Sequence, residues 1–271
     1  MATNNTLKTQ MQEAPKKMRP EDASINQLLN SPEIKNRFEA ILNKRAPQFI
    51  ASILNLYKSS EAVSKCQPLS VITSAMVAAT MDLPIDQNLG YAWIVPYKNK
   101  ATFQIGYKGL IQLALRSGQY KAINVLDVHE GELVHWNPLT ETFEMDFDKR
   151  TSDQVIGYVG YFELLNGFTK TVYWSKSDIE KHKLKFSKSE YGWKKDWDAM
   201  ARKTVLRNML SKWGILSIQM QNAVSFDIAA DAGENKLNCI MKDDGDIIDI
   251  DAIYTDINTS VDMETGELLE D

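Results

Sequence analysis

Cysteine is almost absent: Cys66 and Cys239 are the only two in 271 residues, far apart and in no metal-ligand spacing. A disulfide scaffold or a zinc module is therefore not expected, and a reducing cytoplasm is the default setting. No apolar run approaches the ~18 residues that span a bilayer, so no transmembrane helix is expected. The polar residues 1–30 hold no apolar stretch of the kind a secretory signal needs. Common catalytic signatures are missing as well. There is no G-x-x-x-x-G-K-[ST] loop and no G-x-S-x-G elbow, and Gly157 and Gly160 do not make G-x-G-x-x-G. His129, Glu130 and His135 carry zincin-type residues, but the histidines lie six apart rather than four, so one helical face cannot present both. The acid-rich end lacks the D-x-[DN]-x-[DN]-G calcium loop. No residue is assigned to catalysis, to a metal or to a cofactor.

Charge of one sign is missing from two long stretches. Residues 243–271 hold 11 Asp and Glu and no Lys or Arg. The whole chain is −5, yet the part before residue 243 is +6. That asymmetry points to a polyanion-binding body with an acidic tail. The reverse absence covers residues 87–126, 40 residues without an acid, where Lys98, Lys100, Lys108, Arg116 and Lys121 are interleaved with Tyr91, Trp93, Tyr97, Phe103, Tyr107 and Tyr120. Cations that neutralise phosphates, beside rings that contact sugars or bases, are the usual surface for single-stranded nucleic acid. The bland alternative is that the rings are core and the lysines a solvated face.

Apolar residues at 44% and charged residues at 25% leave enough material for a substantial core. The chain divides into a flexible arm over 1–32, a core over 33–232 and an acidic, disordered tail over 233–271. Ser31 and Pro32 read as N-cap and first residue of a helix carrying Phe38, Ile41 and Leu42, which Pro47 should interrupt. A further helix is expected over Leu69–Met81. Tyr91, Trp93, Val95 and Tyr97 give a strand with one bulky face, followed by a turn at Lys98-Asn99-Lys100 and a returning strand through Ala101, Phe103 and Ile105. A helix follows from Tyr107 to Ser117, with Gly118 at C′. Its start at Lys108 and Gly109 offers free N–H groups to a phosphate. Asn166-Gly167 between apolar runs signals a hairpin, and Ser175–Asp178 reads as a cap. One long helix is expected over Trp193–Trp213 and a last one over Ile215–Ala230.

A second basic segment, residues 176–212, holds 11 Lys and Arg against 5 acids. Lys203 and Arg207 are i,i+4 neighbours on one face of the long helix. Arg202 falls inside its apolar arc, where pairing with Asp198 at i−4 competes with phosphate contact as an explanation. Lys181–Lys188 reads as a solvated basic loop.

The run Phe103-Gln104-Ile105-Gly106-Tyr107-Lys108-Gly109-Leu110-Ile111, with Leu113-Ala114 and Arg116-Ser117-Gly118, resembles the signature of the RecT family of phage-type single-strand annealing proteins. Met200-Ala201, Lys203-Thr204, Arg207 and Lys212-Trp213 resemble that family's second block. The resemblance covers roughly residues 35–230. It implies an α+β fold, a small antiparallel sheet with a hairpin followed by a helix, flanked by helices. It also implies an ATP-independent, non-enzymatic protein that coats single-stranded DNA as a homo-oligomer and anneals it to its complement. Single-stranded and annealed duplex DNA, a phage exonuclease and a host single-strand binding protein are the implied partners, the proteins reached through tail or arm, in a bacterial, nucleoid-associated setting. Carried over residue by residue, Lys108, Arg116, Arg202, Lys203 and Arg207 are candidate DNA contacts. Lys98, Lys100, Gln104, Tyr107 and Lys195, from the same two basic segments, complete the set. A metal-dependent nuclease or other DNA-processing enzyme is the alternative; it would need carboxylates clustered in the basic region, and the acid-free run argues against that.

Overall fold

The computed structural model describes residues 23–187, 190–231, 239–241 and 247–249. The N-terminal part is helical: α1 (Ile25–Asn30), α2 (Pro32–Leu42), α3 (Ala46–Ser59), α4 (Glu61–Ser64) and α5 (Pro68–Thr80). Helix α2 starts as its sequence dictates, with Ser31 as N-cap and Pro32 in the first turn, and Pro47 opens α3 after a 3-10 turn at Asn43–Arg45. Residues 25–30, placed in the arm by composition, are instead a helix. A capping box between Ser24 and Gln27 starts α1, and Ile25, Leu28 and Leu29 are buried. The rest of the arm, residues 1–22, lies outside the described residues.

Helix α5 is apolar all round and sits at the centre, with Leu69 through Ala79 buried. Its few polar side chains hold the next element. The Ala101 N–H donates to Ser70 Oγ at 2.8 Å, and Ser74 Oγ donates to the Ala101 carbonyl at 3.0 Å. They fix the hairpin β1 (Ala92–Tyr97) and β2 (Lys100–Ile105), whose antiparallel register pairs Trp93 with Gln104, Val95 with Thr102 and Tyr97 with Lys100. The turn is tighter than expected, with Lys98 at φ 56° and Lys100 already in β2. The alternate apolar residues face inward: Ala92, Ile94, Ala101, Phe103 and Ile105 are buried. The bulky face with Trp93, Val95 and Tyr97 is therefore the outer one.

Helix α6 (Tyr107–Arg116) follows at once and ends at Ser117, with Gly118 at φ 65° as C′. Then comes a three-stranded antiparallel sheet, order β3 (Tyr120–His129), β6 (Val155–Leu164), β7 (Thr169–Ser175). The hairpin β4 (Leu133–Asn137) and β5 (Thr142–Met145) is inserted between β3 and β6. The Asn166-Gly167 turn joins β6 to β7, with Gly167 at φ 86°. The Ser175/Asp178 capping box starts α7 (Lys176–Phe186), so residues 181–186 are helical rather than the basic loop expected.

The expected long helix is broken. Asp196, in extended conformation, ends α8 (Tyr191–Lys195) and caps α9 (Trp197–Trp213) by accepting the Ala199 N–H at 3.0 Å. Helix α9 packs on the sheet, where a Cβ on Gly160 would lie 3.1 Å from Val205. Helix α10 (Ile218–Asp231) closes over β2, with Phe226 edge-on to Phe103 at 6.5 Å. Cys239–Met241 and Ile247–Asp249 pair as short strands β8 and β9, in what composition marked as tail. The other tail residues from 232 on lie outside the described residues. The architecture is α+β with small antiparallel sheets, as the sequence implied.

Two glycines seat the start of α6. A Cβ on Gly106 would lie 2.1 Å from the Gly90 carbonyl oxygen, and one on Gly109 2.2 Å from that of Tyr91. Both clashes are with backbone, which has little room to yield. Gly109→Ala is expected to cost about 1–3 kcal/mol as an overpacking change. Urea unfolding measures it, and an unchanged midpoint would contradict this packing.

Candidate nucleic-acid interface

Beside the start of α6 lies an open cavity of about 320 Å³ between the hairpin and the α8–α9 corner. The hairpin supplies Trp93, Val95 and Gln104 from its outer face, and α6 supplies Tyr107 and Lys108. From the other side come Lys195, at the end of α8, and Arg202 and Lys203 on α9. Six of the ten candidate residues thus meet at one place: Gln104, Tyr107, Lys108, Lys195, Arg202 and Lys203. They come from two segments about ninety residues apart in the chain.

Cations from the second segment lie over rings from the first. Lys195 Nζ is 5.5 Å from the Trp93 ring centre, and the Arg202 guanidinium is 5.5 Å from that of Tyr107. Each such contact is worth about 0.5–1 kcal/mol where water has access. Lys108 and Lys195 are exposed, and among the described residues neither has a carboxylate partner. The N-terminal end of α6 opens onto the same space. Its N-cap is Gly106, and among the described residues no side chain caps its first N–H groups, which with the positive end of the helix dipole suit an anion.

The cations of α9 are held differently. Arg202 Nη1 donates to Asp127 Oδ2 on β3 at 2.6 Å, which explains its place in the apolar arc; the expected partner Asp198 instead accepts from the Tyr158 hydroxyl at 2.6 Å. Burial pushes the Asp127 carboxyl above the usual range, against the pull of Arg202. Lys203 is 5% exposed and bonded to the fully enclosed Asp227 of α10. Arg207, 8% exposed, donates to Asp227 and, at 2.6 Å, to Asp231. Burial opposes its charge, and the two carboxylates outweigh burial, so its pKa is raised further.

The remaining candidates lie elsewhere. Lys98 and Lys100 are exposed at the hairpin tip, Lys100 on the same outer face as Gln104. Arg116 donates to the Met81 and Asp82 carbonyls, both at 2.7 Å, and so secures the end of α5. Trp93, Asp196 and Asp231 also border the cavity and were not among the candidates. A signal for the α10 acids was present: Asp227 and Asp231 are the only acids in residues 215–231, and their i,i+4 spacing matches that of Lys203 and Arg207.

Asp227 neutralises two buried cations at once. Asp227→Asn is expected to remove about 3–5 kcal/mol, because it leaves buried charge uncompensated. Chemical denaturation reads this directly; a wild-type stability for the variant would contradict the ion-pair account.

Comparison with known proteins agrees with the motifs. A model of the RecT family matches residues 47–236. The chain is 64% identical over 226 residues to the uncharacterized protein YqaK of Bacillus subtilis strain 168, covering 83% of this chain and 80% of that one. It is 27% identical over 249 residues to protein RecT of Escherichia coli K12, covering 84% and 88% respectively. With cavity-lining residues of both basic blocks inside the matched span, this chain belongs to the RecT family.

Proposed function

We propose that this protein binds single-stranded DNA along the outer face of the hairpin and in the cavity at its base, and anneals the strand to its complement without ATP. Membership of the RecT family suggests phage-type single-strand annealing recombination, and proteins of this family are annealing proteins not known as enzymes. The observation that carries the reading is the meeting of the two basic blocks around one cavity, with Lys108 and Lys195, which have no carboxylate partner among the described residues, on opposite sides of it.

The chemistry is positional. Two strands approach against phosphate repulsion and lose chain freedom when they pair. Lys108, Lys195 and the α6 N-terminus offset the repulsion at the cavity, and Lys100 extends the positive face along β2 toward the tip. Trp93, Tyr97 and Tyr107 offer rings to bases or sugars. A strand laid out in this way is held by its backbone, so base pairing with the complement supplies specificity. Several subunits side by side would present a register longer than one hairpin, and the N-terminal helices are the surface we assign to that contact. The acidic tail, with 11 carboxylates and no cation after residue 242, suits a basic face on a partner such as a phage-type exonuclease or a host single-strand binding protein.

The expected behaviour is strongly salt-dependent binding that ignores sequence. In anisotropy titrations with labelled oligonucleotides, Lys108→Ala and Lys195→Ala should each flatten the slope of log K against log salt by about 0.7, the value for one single-strand phosphate contact. They should also slow annealing. Unchanged slopes would remove these lysines from the interface. Magnesium-dependent cleavage of the oligonucleotide would replace the annealing reading with a nuclease.

A further inference from the structure

The C-terminal end of α10 places an acid, Asp231, in a cavity wall that holds four cations and one other acid, Asp196. Asp231 borders the cavity together with Lys108, Lys195, Arg202 and Lys203. Arg207 is not among the residues that line it, but the carboxylate it holds is. Asp227 and Asp231 lie one helical turn apart and both accept from the same Arg207 nitrogen. Their surroundings differ: the Asp227 side chain is 0% exposed, while that of Asp231 keeps 14%. Asp227 is thus a fixed part of the interior, whereas Asp231 borders the cavity while holding a guanidinium that does not.

The two acids also compete. Like charges at i,i+4 repel. Burial first, and Asp227 second, push the Asp231 carboxyl above its ordinary range, against the pull of Lys203 and Arg207. Of the two carboxylates on Arg207, Asp231 is the more exposed and the one that lines the cavity.

We propose that Asp231 is an internal stand-in for a strand phosphate: it occupies the Arg207 guanidinium in the free protein and yields that position to a phosphodiester group entering the cavity. The inference rests on the strand-binding reading above and adds its regulation. Carboxylate and phosphate oxygens accept from a guanidinium in the same geometry, so the exchange keeps the buried charge balanced. Asp231 regains water, and Arg207 keeps an anionic partner throughout. The free protein then presents fewer open cations than its composition implies. A strand must displace the carboxylate to gain its last contact, so a poorly seated strand is released and only a fully seated one is held.

The test uses the full chain, a labelled oligothymidylate and a salt series. Asp231→Asn should bind about three- to tenfold more tightly at low salt and steepen the salt slope by about 0.7, because one more phosphate contact opens. In Asp231→Asn combined with Arg207→Gln that gain should vanish relative to Arg207→Gln alone. Asp196→Asn is the control: it removes an equal charge from the same wall and keeps an efficient cap for α9. Any gain it brings reflects the general field and should survive Arg207→Gln. If thermal melts show Arg207→Gln to be unfolded, Arg207→Lys replaces it, keeping the charge and losing the fork, and the gain from Asp231→Asn should shrink. The proposal is overturned if Asp231→Asn binds no more tightly than the parent, or if its gain persists without Arg207. Absence of binding by the parent at low salt would overturn the strand-binding reading and this one with it, whereas a parent that binds and an Asp231→Asn variant without gain sinks this one alone.

Discussion

Helix α9 can be buried because carboxylates from other elements meet its cations. Arg202, Lys203 and Arg207 occupy three positions of a helix that packs on the sheet, on α6 and on α10. Asp127 on β3 meets the first, Asp227 the second, and Asp227 with Asp231 the third. A lone cation in such a place would carry a desolvation cost of several kcal/mol, and the pairs are what offset it. Because α9 is fixed against β3 and α10, its first turns and the end of α8 stand opposite the hairpin. The cavity is a consequence of that placement.

The hairpin meets the same requirement by other means. Its inner face is apolar and is tied to α5 through Ser70 and Ser74, which leaves Trp93, Val95 and Tyr97 on the outer face. Exposed rings on a strand would ordinarily invite aggregation. Here they alternate across the ladder with Lys100, Thr102 and Gln104, and Trp93 is covered in part by Lys195. Glycine at 106 and 109 lets α6 begin directly beneath that face, so the sequence between Phe103 and Ile111 serves close packing. The family signature is physically a docking site for a helix start.

Features set by neighbours in the chain were legible in the sequence. Ser31-Pro32, Pro47, the hairpin with its returning strand, Gly118, Asn166-Gly167 and the Ser175/Asp178 box all lie where local chemistry placed them. Features that depend on distant partners were not. Strand β3 escaped notice because bulges near Tyr120 and His129 break the alternation that marks a strand. The break at Asp196 was hidden by Trp193 and Trp197, whose rings lie 4.9 Å apart across it and mimic one continuous apolar stripe. Lysines and arginines were read as available because their partners, Asp127 and the α10 acids, lie 20 to 75 residues away. Arg116 likewise spends its donors on the end of α5. Density of positive charge marked the two segments; only the fold separates cations that are open from cations already paired.

If the two basic blocks form one surface for a strand, Lys108 and Lys195 must be covered together although they are far apart in the chain. Mass-spectrometric mapping of lysine acylation, with and without a saturating oligonucleotide, tests this most directly. Both lysines should lose reactivity in parallel as the strand is added, while the exposed Lys58 and Lys149 continue to react. Protection of only one of the pair, or loss of reactivity spread evenly over all exposed lysines, would contradict a shared interface.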